Sequence, residues 1–248
     1  MGYSVSMISS VWNLVIYQPL YNGLIFLIDI LPGIDLGVAI ILFTILVRLI
    51  LFPLSRQSVK TQLKMRQIEP LIAASKEKHK NSRDEQARDM LRIYKENDLH
   101  PLSGVLLMLI QLPILISLYV VFSGSGLPTV HPELLYSFVK MPENISVIFL
   151  GFIDLLKPNF IFAVLAAVTQ FLQIRFSMPP PAAKKENATF QEDLARSMNF
   201  QMRYFMPILI FIFALRFSAA LSLYWIVSNL FTIAQELYLR GKFKSQPK

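Results

Sequence analysis

Apolar residues in this chain come in long runs separated by short polar breaks and by one densely charged stretch. The clearest run, Leu36 to Ser55 (LGVAIILFTILVRLILFPLS), is about 20 residues long, the length an α-helix needs to cross a hydrocarbon core of about 30 Å. Leu102 to Phe122 and Phe160 to Met178 are runs of similar length. Tyr204 to Leu239 is apolar for about 36 residues, about 54 Å as one straight helix, so it has to double back. Arg216-Phe-Ser-Ala supplies the turn. The pattern predicts an all-α polytopic membrane protein with five transmembrane helices.

The segments between the runs complete the plan. Residues 1–33 are apolar but interrupted by Asn13, Gln18, Pro19, Asn22 and Asp29, and they carry Trp12, Tyr17 and Tyr21, residue types that favour the membrane interface. They read as an interfacial helix on the outer face. The first span occupies 34–55. Residues 56–101 hold eleven basic and seven acidic side chains, with Val59, Leu63, Ile68, Leu71 and Ile72, then Ala87, Met90, Leu91 and Tyr94, at roughly helical spacing. This predicts a cytoplasmic helical hairpin, kinked near Pro70, that turns at Lys80-Asn81-Ser82 with Ser82 as N-cap and Glu85 at the capping-box position. The second span is 102–122, an outer loop partly seated in the interface 123–158, and the third span 159–178. A polar cytoplasmic linker fills 179–202, spans four and five fill 203–239, and a short basic cytoplasmic tail ends the chain at 240–248.

Charge orients this plan. Net charge is +8, and the segments assigned to the inside (56–101, 175–203 and 240–248) hold twenty of the twenty-four Lys and Arg residues. By the positive-inside rule the N-terminus is expected outside and the C-terminus in the cytoplasm. In a soluble protein such a charge would suggest nucleic acid. Here the basic residues lie between apolar runs, so inner-leaflet lipid accounts for them and no specific nucleic-acid partner is expected.

One residue stands out against its surroundings. Arg48 lies about 12 residues into the first run, where an arginine costs at least about 2.5 kcal/mol on insertion scales. Thr44 and Ser55 fall near the same helix face. A helical side chain leans toward its own N-terminus, so Arg48 leans away from the nearer surface, and no acid occurs within the span. This favours a functional cation in a wet cavity over an arginine that reaches the headgroups or one that only locks helices together. No Cys, metal-ligand spacing, glycine-rich phosphate loop, HExxH or nucleophile elbow is present, so no enzyme, metal or other cofactor is expected.

Four motifs, TILVRLILFPLS, KTQLKMRQIEPLIA, HPLSGVLLMLIQLPILISLY and LSLYWIVSNLFTIAQELYLRG, together resemble the YidC/Oxa/Alb membrane protein insertases, from about Trp12 to Gly241. The resemblance implies a polar groove in a five-helix core, open to the cytoplasm and to lipid, in the minimal bacterial form of the family. By motif, Arg48 matches the groove arginine, and Thr44 and Trp225 match positions that line the substrate path. Gln111 and Gln173 match polar groove positions more loosely. Ser228, Thr232 and Gln235 add a polar stripe at helical spacing on the last span. The implied function is insertion and folding of small membrane proteins in the bacterial inner membrane, without nucleotide hydrolysis. Its implied partners are membrane lipids and clients with short, often acidic, translocated segments, with the ribosome, signal-recognition machinery and a Sec-type translocon as further candidates. The resemblance departs at RFSAALSLYW, where the family commonly has a Pro-Gly-like pair. A reading from another class is a small transporter or channel subunit for an anionic solute, which calls for internal repeats or paired broken helices; neither is evident in the sequence.

Overall fold

In the computed structural model the described residues are 12–31, 33–79, 82–99, 103–123, 126–178 and 196–244. Most of the expected 179–202 linker, and the ends of the N-terminal segment and of the tail, lie outside them, as do Lys80 and Asn81 of the hairpin turn. The described chain is mostly helical, with one short β-hairpin in the 126–159 loop. A π-helical turn Asn13–Tyr17 leads into α1 (Gln18–Ile30). Then follow α2 (Leu36–Ile50), α3 (Phe52–Lys78), α4 (Arg83–Glu96) and α5 (Ser103–Phe122). Strands β1 (Ile148–Phe149) and β2 (Ile153–Asp154) precede α6 (Phe160–Ser177). A second π-helical turn, Gln201–Phe205, opens α7 (Met206–Ala214), and α8 (Ala219–Lys244) closes the chain.

The expectation of five spans is overturned. Among the described residues two helices are long and apolar enough to cross a membrane, Asn13–Ile30 and Phe160–Ser177, and a third counts only if α2 and the start of α3 act as one broken span. Each shortfall has a local cause. The run expected as the first span is interrupted at Leu51, just ahead of Pro53, whose ring and missing N–H oppose a continuous helix. Within α5, Leu109–Phe122 counts among the described residues only as a shorter apolar helix. Helix α7 has only nine residues. Helix α8 is long enough, but Ser228, Asn229, Thr232, Gln235 and Glu236 dilute its apolar character.

The N-terminal segment, expected to lie along the surface, supplies one of the two helices long and apolar enough to cross a membrane, and its polar residues are used internally. Asn22 is buried; its Nδ2 donates to the Leu134 carbonyl at 2.8 Å and its Oδ1 accepts from the Tyr136 N–H at 2.7 Å. Gln18 Nε2 also reaches the Leu134 carbonyl, and the His131 N–H donates to the Tyr21 hydroxyl. The residues that looked like breaks therefore hold the 126–158 loop by satisfying its backbone.

Two contact units divide the chain: residues 1–49 with 111–233, and residues 50–110 with 234–248. In the first unit, the segment around the β-hairpin ties two helix starts together. The Leu36 N–H donates to Ser146 O, and the Ala219 and Ala220 N–H groups donate to Lys157 O and Leu155 O. These loop carbonyls take up orphan donors at the start of α8, so no Pro-Gly pair is needed after Arg216. Gly37 is packed so tightly that a Cβ there would meet the Phe149 ring at 2.1 Å. Helix α6 packs on α7.

In the second unit, α3 and α4 form the expected hairpin. Ile68, Ile93 and Leu99 make its small core, with Met65, Ile72 and Tyr94 against it. Leu71 and Leu91, read as part of the facing stripes, are instead exposed. The buried line on α3 runs through residues 65, 68 and 72, at spacings of three and four, and Leu71 falls off that line. Pro70 lies inside α3 without ending it. Ser82 caps α4 by accepting from the Glu85 N–H, as expected, while the Glu85 carboxylate turns to His79 Nδ1 at 3.1 Å.

Candidate intramembrane polar site

Helix α2 is built almost wholly from Leu, Ile, Val, Phe and Ala, so its only long polar side chain has to find its partners on neighbouring helices. Arg48 Nε donates to Ser228 Oγ of α8 at 2.8 Å, and Nη2 donates to the same oxygen. No carboxylate pairs with Arg48 among the described residues. Two of its five N–H donors are spent on one hydroxyl.

Around this pair the structure gathers residues from three helices. Tyr224, four residues before Ser228 and so on the same face of α8, is 2% exposed. Its hydroxyl accepts from Gln111 Nε2 of α5 at 2.8 Å and interacts with Ser228 and with the Arg48 charge. Arg48, Ser228, Tyr224 and Gln111 thus form one polar track.

A second track leaves the adjacent face of α8. Trp225 Nε1 donates to Gln170 Oε1 of α6 at 2.8 Å. Gln170 donates on to Gln173 at 3.3 Å, and Gln173 to Ser177 Oγ at 3.0 Å, three polar residues at spacings of three and four along α6. One turn further along α8, Asn229 donates to the buried Thr169 hydroxyl at 3.3 Å.

The predicted site residues therefore divide. Arg48, Ser228 and Gln111 come together, and Trp225 and Gln173 share the second track. Thr44 is fully buried and its hydroxyl donates to Ile40 O of its own helix at 2.6 Å, a local bond that brings it no partner on another helix. Thr232 does the same with Ser228 O at 2.8 Å. Gln235 belongs to the second unit, where it donates to Ser55 Oγ. Tyr224 and Asn229 were missed. The available signal was the spacing of Tyr224 from Ser228 and of Asn229 from Trp225, four residues in each case. Gln170 and Thr169 were visible only as polar residues in an apolar run, and nothing in the sequence pairs them with α8.

The chemistry this set offers is binding. Among the described residues there is no cluster of three His, Asp or Glu side chains that could hold a metal ion. What is present is a guanidinium, two hydroxyls and an amide, donors suited to an anionic or hydrogen-bond-accepting group in a poorly solvated place.

Comparison with known proteins bears on what that group is. Residues 27–246 match the family described as 60Kd inner membrane protein. The membrane protein insertase YidC of Clostridium perfringens is 32% identical over 256 residues, covering 98% of this chain and 98% of the relative. The YidC of Pseudomonas fluorescens is 32% identical over 212 residues, 86% of this chain and 33% of the relative. The YidC of Alcanivorax borkumensis is 30% identical over 237 residues, 91% of this chain and 36% of the relative. The chain thus spans about a third of the length of the latter two and nearly all of the first.

Proposed function

The chain belongs to the family of the 60Kd inner membrane protein and of the YidC insertases, and from that premise we propose that it inserts other membrane proteins into the bilayer without hydrolysing nucleotide. It is a multi-pass protein of the bacterial inner membrane. The observation that carries the reading is Arg48: a cation in an apolar helix, held by a hydroxyl and by no acid among the described residues.

The obstacle to insertion is the polar end of the client. An acidic residue at the centre of a membrane helix costs about 2.5 to 3.5 kcal/mol on insertion scales. A guanidinium about 4 Å from a carboxylate returns about 4 kcal/mol at an effective dielectric constant near 20. One cation therefore offsets one acid, and a second acid gains much less. Arg48 supplies that cation. Ser228, Tyr224 and Gln111 keep its surroundings polar, so the track can hold water and lower the remaining desolvation cost. The client's apolar helix then leaves sideways into lipid, where burial at about 25 cal/mol per Å² favours departure. The N-terminus faces outside and the C-terminus the cytoplasm, in line with the twenty basic residues of the inner segments.

The test is insertion in reconstituted vesicles. A single-span client carrying zero, one or two acidic residues in its translocated segment is offered to the parent protein, Arg48→Lys and Arg48→Ala. The expected defect of Arg48→Ala is largest for the client with one acid and small for the neutral one. A defect independent of client charge would sink the electrostatic account. Protein that carries no client across at all, alone in vesicles, would leave a purely structural chaperone.

A further inference from the structure

The β1–β2 hairpin carries two large apolar side chains where water would be. Leu150 is 62% exposed and Phe152 is 76% exposed, on either side of Gly151. The tip is nevertheless specified in detail. Leu150 adopts φ 55° and Gly151 φ 84°, left-handed backbone that is uncommon for a residue with a side chain. The Leu150 N–H donates to Asp35 Oδ2 at 3.3 Å, and Ile148 pairs with Asp154 and Phe149 with Ile153. Phe149 turns inward, against Gly37 and near the Phe162 ring. The outward pair is thus held on a fixed projection.

Eight residues after Phe152 the chain enters α6, capped by Asn159, whose Oδ1 accepts from the Phe162 N–H. Its first turn is also apolar and exposed, with Phe160 and Ile161 each about two-thirds accessible. This helix is one of the two among the described residues that are long and apolar enough to cross a membrane. The exposed apolar surface of the tip therefore adjoins the end of a candidate span. Between them, Lys157 is exposed and pairs with Asp154 at 3.0 Å, a basic residue at the level expected for headgroups.

We propose that Leu150 and Phe152 are a lipid anchor: the hairpin tip inserts both side chains into the acyl region beside the start of α6, which fixes the depth of the helix starts that the same segment holds. The occupant is lipid acyl chain. Contiguity with a span argues for it, because large apolar side chains at that depth are already at the bilayer boundary.

The sequence contains no Cys, so single thiols report without background. Phe152→Cys and, as a water-exposed reference in the same outer segment, Glu133→Cys are labelled with an environment-sensitive fluorophore and reconstituted into phosphatidylcholine–phosphatidylglycerol vesicles. Shallow doxyl-labelled lipid is expected to quench the probe at 152 at least threefold more than at 133, with aqueous iodide showing the reverse order. A probe at 152 that iodide reaches as readily as at 133 overturns the proposal. So does a probe shielded from both quenchers, which would put a protein surface over the tip. Leu150→Cys repeats the measurement with Phe152 intact, so that loss of one apolar side chain does not decide the outcome.

Discussion

The guanidinium of Arg48 on α2 donates both Nε, at 2.8 Å, and Nη2 to the hydroxyl of Ser228, 180 residues later on α8. A hydroxyl accepts this fork without neutralising it, so the contact fixes the position of the cation and leaves its charge uncompensated. Positioning and charge can be separated by mutation. Ser228→Ala should lower the melting temperature in detergent by a few degrees, in line with about 1–3 kcal/mol for a donor left without its partner. It should keep the preference for clients with one acidic residue. Loss of that preference in Ser228→Ala, with Arg48 intact, would mean that geometry and not charge is decisive.

The second track predicts a spectroscopic result. Trp225 donates its indole N–H to Gln170. In a Trp12→Phe background Trp225 is the sole tryptophan, since the chain has two. Gln170→Leu should shift its emission to the blue by several nanometres and cost about 1 kcal/mol of stability, the size of an interhelical hydrogen bond in a membrane. Unchanged emission would place the indole in contact with a different polar partner.

Packing at Gly37 sets a steric prediction. Gly37→Ala places a methyl group into the Phe149 ring and should cost about 1–3 kcal/mol, the usual range for overpacking. Phe149→Leu should recover part of that loss when combined with it. Gly241→Ala is the control, because a Cβ there meets nothing within 4 Å. Thermal unfolding of the four proteins in one detergent decides the matter; equal midpoints for Gly37→Ala and Gly241→Ala would contradict the close approach.

In the hairpin, the nearby Ser75 hydroxyl, together with the charges of Arg92, His79 and Lys78, holds the Asp89 carboxyl below its usual range. The folded pKa is depressed, so the stabilisation is present above the unfolded value of about 3.9 and is lost as pH falls below it. Spin labels at the exposed positions Leu71 and Leu91 should keep their separation from pH 7 to about pH 5. The distribution should broaden only below about pH 4, and Asp89→Asn should make it less sensitive to acid. Broadening already at pH 6, well above the carboxylate range, would overturn the assignment to Asp89.

The topology is open to the same single-thiol chemistry. A Cys at Ser137 should react with an impermeant reagent added to intact cells, and a Cys at Ser82 should react only after lysis. The reverse pattern would invert the assigned orientation.

Sequence alone determined the quantities that depend on composition and short-range spacing. Helical content, the family, the singular position of Arg48, the Ser82 cap and the turn after α7 were legible because each is encoded within a few residues. Periodicity could not determine which polar residues are satisfied by distant backbone. Gln18 and Asn22 looked like interruptions until their partners, Leu134 and Tyr136, were known, and Pro53, inside the run expected as the first span, lies at a break in that run. The same holds for the site. Ser228, Thr232 and Gln235 are one stripe by spacing, yet only Ser228 meets Arg48; Thr232 closes on its own helix and Gln235 meets Ser55. A stripe fixes a helix face, and an isolated Ser, Thr or Gln can bond its own backbone or a neighbour at similar free energy. The choice belongs to whichever partner the packing of the other helices brings within about 3 Å. Tertiary structure therefore decided the membership of the site, and it brought in Tyr224, a residue whose apolar ring and apolar neighbours gave the sequence no reason to single it out.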